Sequence, residues 1–302
     1  MGSAVLLGTR TGVFRAAIDA IDDAVRVLDS DRVMRLRAFD DGVYAATRSG
    51  LYRSGDDGRS WTRIETPRRR VSTVHRADGG RLYIGTRPAE IYASDDDGAS
   101  WTSMDGFGDG DRWRAPGNDD EATLRALTAT TGRLLAGVEV GGVYVSDDGG
   151  QSWVERSPRS ADVHHLLVDD ERVFASTGGG LYRSRNLGRS WTRLDSRLDH
   201  RYFREATVHE GCLYTAATVG PPPSWDGPRN TDAGLYESHD GGDTLRPVEY
   251  AGGPGEFVLS WATGANSVYG GTTAGSVIER QSGTWLGIGS VPAEIASMTI
   301  LG

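Results

Sequence analysis

Short apolar runs alternate with tight polar turns along the chain. "VYAAT" (43–47), "LYIGT" (82–86), "LLAGV" (134–138) and "VFAST" (173–177) are each bounded by Gly, Asp or Ser. Such runs are the signature of short strands, and amphipathic stretches of helical period are rare. The runs also recur as sets. "VYAATRSGLYRSGDDGRSWTRIE" (43–65), "LYIGTRPAEIYASDDDGASWTSMD" (82–105), "LLAGVEVGGVYVSDDGGQSWVERS" (134–157) and "VFASTGGGLYRSRNLGRSWTRLD" (173–195) follow one plan. Weaker copies span 213–249 and 268–288. A further apolar run precedes each copy: "VMRLRAF", "VSTVHRA", "TLRALTA", "VHHLLVD", "FREATVH" and "FVLSWAT". Each unit therefore supplies four strands, A to D. Trp61, Trp101, Trp153 and Trp191 recur at the roughly 40- to 50-residue spacing of one propeller blade.

That makes six complete units. The first residues, from "AVLLGT", begin at a strand B, and the last, "AEIASMTILG", form a strand A with nothing after it. Joined, they make a seventh unit. The chain is thus expected to be all-β: one seven-bladed propeller domain over residues 1–302. Blade 1 is expected to be composite, from residues 4–30 and 293–301, with the C-terminal strand closing the ring.

An eight-residue polar turn links strands C and D: "SGDDGRSW" from Ser54, "SDDDGASW" from Ser94, "SDDGGQSW" from Ser146, "SRNLGRSW" from Ser184 and "SHDGGDTL" from Ser238. It resembles the Asp-box, or BNR repeat, Ser-x-Asp-x-Gly-x-Ser/Thr-Trp. The matching residues are Ser54, Asp56, Gly58 and Trp61; Ser94, Asp96, Gly98 and Trp101; and Ser146, Asp148, Gly150 and Trp153. Ser184, Asn186, Gly188 and Trp191 carry Asn for Asp, and Ser238, Asp240 and Gly242 lack the Trp. Serine and aspartate side chains suit the unpaired N–H groups of a turn, and glycine suits a positive φ. A Ca²⁺ loop needs about six oxygens and a later bidentate Glu, and none is placed for it. The turn is therefore expected to be structural.

Charge changes the picture next. The net charge is −9, and all 33 basic residues are arginine. This resembles the composition of proteins from salt-loving archaea, although a GC-rich genome also favours arginine. Net acidity argues against nucleic acid as a partner. No apolar run is long enough to span a bilayer. The N-terminus lacks the basic region and apolar core of a signal peptide, so a cytoplasmic location is expected. The single cysteine excludes an internal disulfide, and the six histidines show no ligand spacing, so neither a metal nor a cofactor is expected.

The Asp-box resemblance implies fold rather than activity, because sialidases, sortilin-type receptors and photosystem II assembly factors share it. The turns mark one face, and the B–C and D–A connections lie on the other. Two long insertions project there: 106–122, with Arg112, Trp113 and Arg114, and 219–232, with Trp225, Asp226 and Arg229. Aromatic residues beside arginine suit a binding hot spot. Near the start of strand A, counting back from strand B gives Arg35, Thr73, Arg125, His164 and Arg204, a candidate positive ring for a carboxylate, phosphate or acidic peptide. "PRRR" (67–70) lies on the same face and is expected to be a solvated linker. The expected function is a non-catalytic, monomeric binding module for a protein, peptide or anionic ligand. The alternative is a sialidase-like glycoside hydrolase for acidic sugars, with Tyr202 and Glu205 near the arginines.

The acidic surface yields a first prediction. The urea unfolding midpoint is expected to rise between low and molar KCl; an unchanged midpoint would contradict the salt-adapted reading.

Overall fold

The computed structural model describes residues 3–107, 113, 121–130, 132–221, 232–249, 252 and 255–302. Among these, twenty-eight strands form seven four-stranded antiparallel sheets. In blade 2, strands A to D are Val33–Phe39, Gly42–Thr47, Gly50–Ser54 and Thr62–Ile64. The other strands A are Val71–Arg76, Leu124–Thr130, Val163–Asp169, Tyr202–His209 and Val258–Thr263 in blades 3 to 7. In blade 1, Ser297–Leu301 is strand A and pairs antiparallel with strand B, Ala4–Thr9. Each strand A packs on the next, and the series closes on itself around a central channel. The composite blade and the seven-membered ring are as the repeat pattern leads one to expect.

The core lies between blades rather than within one sheet. Strand B is buried along its length in most blades, as in Leu82–Thr86 and Cys212–Thr218. Both its faces are covered, which explains its near-continuous apolar sequence. Leu6 and Val13 of blade 1, for example, pack with Val33, Leu36, Val43 and Ala45 of blade 2. Towards the axis the blades converge and side chains must shrink. A Cβ on Gly85 would lie 2.2 Å from Leu124 Cδ2 of the next blade.

The eight-residue turns work as their chemistry suggests. Ser94 Oγ accepts from Gly98 N–H at 2.8 Å and donates to Asp96 Oδ1 at 2.8 Å. Asp96 in turn accepts from the Ser100 N–H and hydroxyl at 2.8 and 2.6 Å. Asn186 keeps the same fold, accepting from Ser190 N–H at 2.9 Å. Gly58 has φ +76°, and a Cβ there would meet Leu6 Cδ2 of the preceding blade at 2.6 Å. The glycine thus serves both the turn and the seam between blades. The indoles are half-buried. Trp101 and Trp191 reach back across a seam and donate to the carbonyls of Glu65 and Arg156, each at 2.8 Å.

Acid stability follows from these bonds. The Ser100 hydroxyl and N–H, with Ser94, hold the Asp96 carboxyl down at about 2. Ser152 and its N–H do the same for Asp148, and Ser238 with Thr244 for Asp240, both at about 2. A depressed folded pKa contributes stability that is present above the unfolded value of about 4 and is lost as pH falls through the folded value. Stability against chemical denaturation is therefore expected to fall from about pH 4 down to about pH 2, and Asp96→Asn should flatten part of that dependence. A wild-type profile flat across this window would refute the assignment.

Candidate functional site

A β-bulge near the start of strand A recurs in blades 2 to 7. The register slips between Val33 and Arg35, Val71 and Thr73, Leu124 and Ala126, Val163 and His165, Phe203 and Ala206, and Val258 and Ser260. Bulges re-aim side chains, and here they separate two layers of residues. The extra residues include Met34, Ser72, Arg125 and His164. The next layer, one step deeper in the channel, includes Arg35, Thr73, Ala126 and His165.

Several residues at or beside the bulges stitch neighbouring blades together. Ser72 Oγ donates to the Leu124 carbonyl at 2.6 Å, and Ser260 Oγ to the Ile295 carbonyl at 3.0 Å. His164 Nδ1 donates to the Phe203 carbonyl at 2.6 Å, its ring stacks obliquely on Tyr202, and its Nε2 lies 3.4 Å from Asp162. Burial, with Arg204 nearby, depresses the His164 pKa, although Asp162 opposes this.

Arginines cluster on the face opposite the eight-residue turns. Arg10, Arg48 and Arg87 each follow the last threonine of strand B in blades 1 to 3. That threonine locks the B–C turn: Thr9 Oγ1 donates to the Gly12 carbonyl and Thr47 Oγ1 to the Gly50 carbonyl, both at 2.9 Å. Arg32, Arg69 and Arg70 come from D–A connections. Arg10, Arg32, Arg48, Arg69, Arg70 and Asp31 line one cavity of about 500 Å³. A second, of about 250 Å³, runs on past Arg48 and Arg70 to Arg87 and Arg125. Burial, opposed by Glu294 and aided by Arg204, Arg125 and Arg48, pulls the Arg32 pKa down to about 10. These cations therefore share one mouth and repel one another.

Carboxylates offset part of that charge. Glu294 reaches Arg32 at 2.5 Å and Arg10 at 2.9 Å. Asp31 lies 3.6 Å from Arg69. Arg125 grips Glu139 through Nε at 3.2 Å and Nη2 at 2.8 Å. Burial would raise the Glu139 carboxyl, but Arg125, His164 and Arg204 hold it below its ordinary value. The Arg48 guanidinium is exposed and makes no hydrogen bond or ion pair to any described residue.

The residues singled out in the sequence are thus divided. Arg125 and Arg204 share the mouth, where Arg204 is half-buried beside Tyr202. Arg35 does not join them, because the bulge sets it one layer deeper. It lies in the channel and bonds Glu205 from across the ring at 2.5 Å. His164 is a buried strut between blades, and Thr73 is likewise buried. Trp113 is only 5 % exposed; it packs with Phe107 and Tyr144, and its Nε1 donates to Tyr144 Oη at 3.2 Å. It belongs to the core between blades 3 and 4 rather than to an exposed platform, because an indole gains more from the apolar seam there than from water. Arg112, Arg114, Trp225, Asp226 and Arg229 lie outside the described residues. In "PRRR", Arg68 chelates Glu90 while Arg69 and Arg70 face the mouth. The signal that marks the mouth in the sequence is the Thr-Arg pair closing strand B in "GTRTG", "ATRSG" and "GTRPA".

No protein-family model and no curated protein sequence matches the chain. Solved structures do. A GH74 xyloglucanase from Xanthomonas campestris matches with TM-score 0.69 and 18% identity, over 96% of this chain and 53% of that one. The chain thus spans about half of that enzyme's length. The protein YCF48 bound to D1 peptide matches with TM-score 0.64 and 14% identity, over 96% of this chain and 87% of that one. YCF48 from Cyanidioschyzon merolae gives 0.59 and 15%, over 87% of each chain. At these identities the likeness shows the propeller fold alone. The neighbours thus include both a glycoside hydrolase and a peptide-bound propeller.

Two other polar groups stand among the described residues. Cys212, Glu237 and His239 bring one ligand atom each within 4.8 Å of one another. Both Glu237 oxygens already serve Arg280, at 2.7 and 2.8 Å, and Trp285 donates to one of them at 2.9 Å. A cation there would compete with a guanidinium, so the set fits a metal poorly. His200 lies between Asp232, at 3.1 Å, and Tyr236 Oη, at 2.5 Å. That Tyr236 side chain is buried.

The Trp113 placement is checked directly. Trp113→Ala is expected to lower unfolding stability by about 3 kcal/mol in urea titration, as for other buried aromatics. A loss under about 0.5 kcal/mol, typical of exposed sites, would place the indole on the surface.

Proposed function

We propose that the chain is a binding module whose arginine-lined mouth, opposite the eight-residue turns, takes an acidic segment of a protein or peptide. One observation carries this reading. The cations form an arc over blades 1 to 4, from Arg10 through Arg48 and Arg70 to Arg125. An arc over adjacent blades suits an extended ligand with several carboxylates better than a compact sugar ring. Guanidinium forks pair well with carboxylates, and Arg48 has its donors free of described partners. The eight-residue turns, read as Asp-boxes, are scaffold in this account.

A glycoside hydrolase asks for a carboxyl held protonated as its acid, whether the nucleophile is a second carboxylate or, as in the sialidase-like alternative, a tyrosine. Against the effect of burial, Arg125 holds Glu139 below its ordinary value, and a His164 hydrogen bond, with Arg125 and Arg204 nearby, does the same for Asp162. That favours permanent charge over acid catalysis at this mouth.

The test is fluorescence anisotropy with labelled Asp/Glu-rich, Lys-rich and neutral peptides of equal length. The acidic peptide is expected to bind selectively, more weakly as salt rises, and about tenfold more weakly to a variant carrying Arg48→Gln and Arg70→Gln. Equal binding of all three peptides would reject the proposal. So would release of reducing ends from a polysaccharide panel without acidic-peptide binding.

A further inference from the structure

The channel holds a third polar cavity, beyond the Arg35–Glu205 bridge and towards the face that carries the eight-residue turns. It measures about 360 Å³, and all seven strands A line it. Its polar groups come from different blades: Arg35 and Arg37 from blade 2, His75 from blade 3, His165 from blade 5, Glu205 from blade 6 and Trp261 from blade 7. Arg35 and Arg37 are two residues apart on one strand, so both face the axis about 7 Å apart.

Residues with unsatisfied polar atoms line this cavity. Arg35, His165 and Trp261 are 6, 6 and 7 % exposed. Yet Arg35 Nε, His75 Nε2, His165 Nδ1 and Trp261 Nε1 are buried without a hydrogen-bond partner among the described residues. The Arg37 guanidinium makes no hydrogen bond or ion pair to a described residue either. Buried polar atoms without partners are costly, and the four residues that carry these ones all line this space. Two arginines face one carboxylate, so the wall carries a positive excess. Burial and the two arginines push His165 well below its ordinary pKa; burial and Arg37 bring His75 down to about 4. Both rings are therefore neutral at pH 7, and each keeps one N–H to donate. Burial, then Arg35, also draws Arg37 down to about 10, against the pull of Glu205.

We propose that this part of the channel binds a small oxyanion, a phosphate or a carboxylate-bearing solute, held by the Arg37 guanidinium, Arg35 Nε and the Trp261 indole N–H. Guanidinium groups match oxyanions through paired N–H donors, and the cavity is far larger than a halide needs. Arg35 and Glu205 stand between this site and the arginine mouth, so the two sites take their ligands independently.

The experiment is calorimetric titration of the intact chain with potassium phosphate and with potassium succinate, against potassium chloride at equal ionic strength. One phosphate or succinate per chain is expected. Affinity should fall about tenfold in Arg37→Gln, several-fold in Trp261→Phe, and stay unchanged in the mouth variant Arg48→Gln. Circular dichroism confirms folding, and Trp261→Phe, which keeps an aromatic ring, decides the matter if Arg37→Gln does not fold. No heat beyond the chloride control overturns the proposal, because the channel is then merely hydrated. Loss in Arg48→Gln with none in Arg37→Gln or Trp261→Phe overturns it too, by placing the anion at the mouth. Acidic-peptide binding is read on the same variants, so either site can fail alone.

Discussion

Pairing between Ala4–Gly8 and Ser297–Leu301 joins the two ends of the chain in one sheet. Everything else depends on that join. In an open array the outermost repeats expose an apolar face and need capping. Here neither terminus is an edge of the array, because each end is completed by the other. Every blade has two neighbours, so each strand B can be apolar on both faces. The channel has a closed wall, and the positions of its side chains are set by the ring rather than by any single blade.

Within that ring, the bulge in strand A divides labour. It turns one set of residues towards neighbouring blades, as Ser72 and His164 show. It leaves another set facing the axis, as Arg35 and His165 show. Nine of the chain's 42 acidic residues lie in the eight-residue turns, on the face opposite the arginine mouth.

The architecture was legible because its signals are local and repeated. Strand, turn and tryptophan recur at one spacing, and the incomplete first and last units complement each other. The turn chemistry was legible for the same reason: Ser94, Asp96 and Gly98 act on atoms at most a few residues away. The side-chain ring was legible only in outline. Arg35 and Arg125 look equivalent by counting, but a one-residue slip at the bulge puts them in different layers. Trp113 sits in a polar insertion, and nothing nearby in sequence shows that Phe107 and Tyr144 form a pocket for it. Cys212 meets His239 only because a hairpin folds back. The Arg48 environment needs three blades to assemble, which no local pattern displays.

The threonines that lock the B–C turns have a consequence for selectivity. An arginine on a loose loop must lose backbone and side-chain freedom on binding, while one on a pinned turn loses mainly rotamers. Arg10 and Arg48 stand directly after Thr9 and Thr47, whose hydroxyls are tied to Gly12 and Gly50. The spacing between their backbones is thereby constant. On the proposed reading, such a surface would discriminate by the interval between negative charges along a ligand, as a ruler does, and not only by their number.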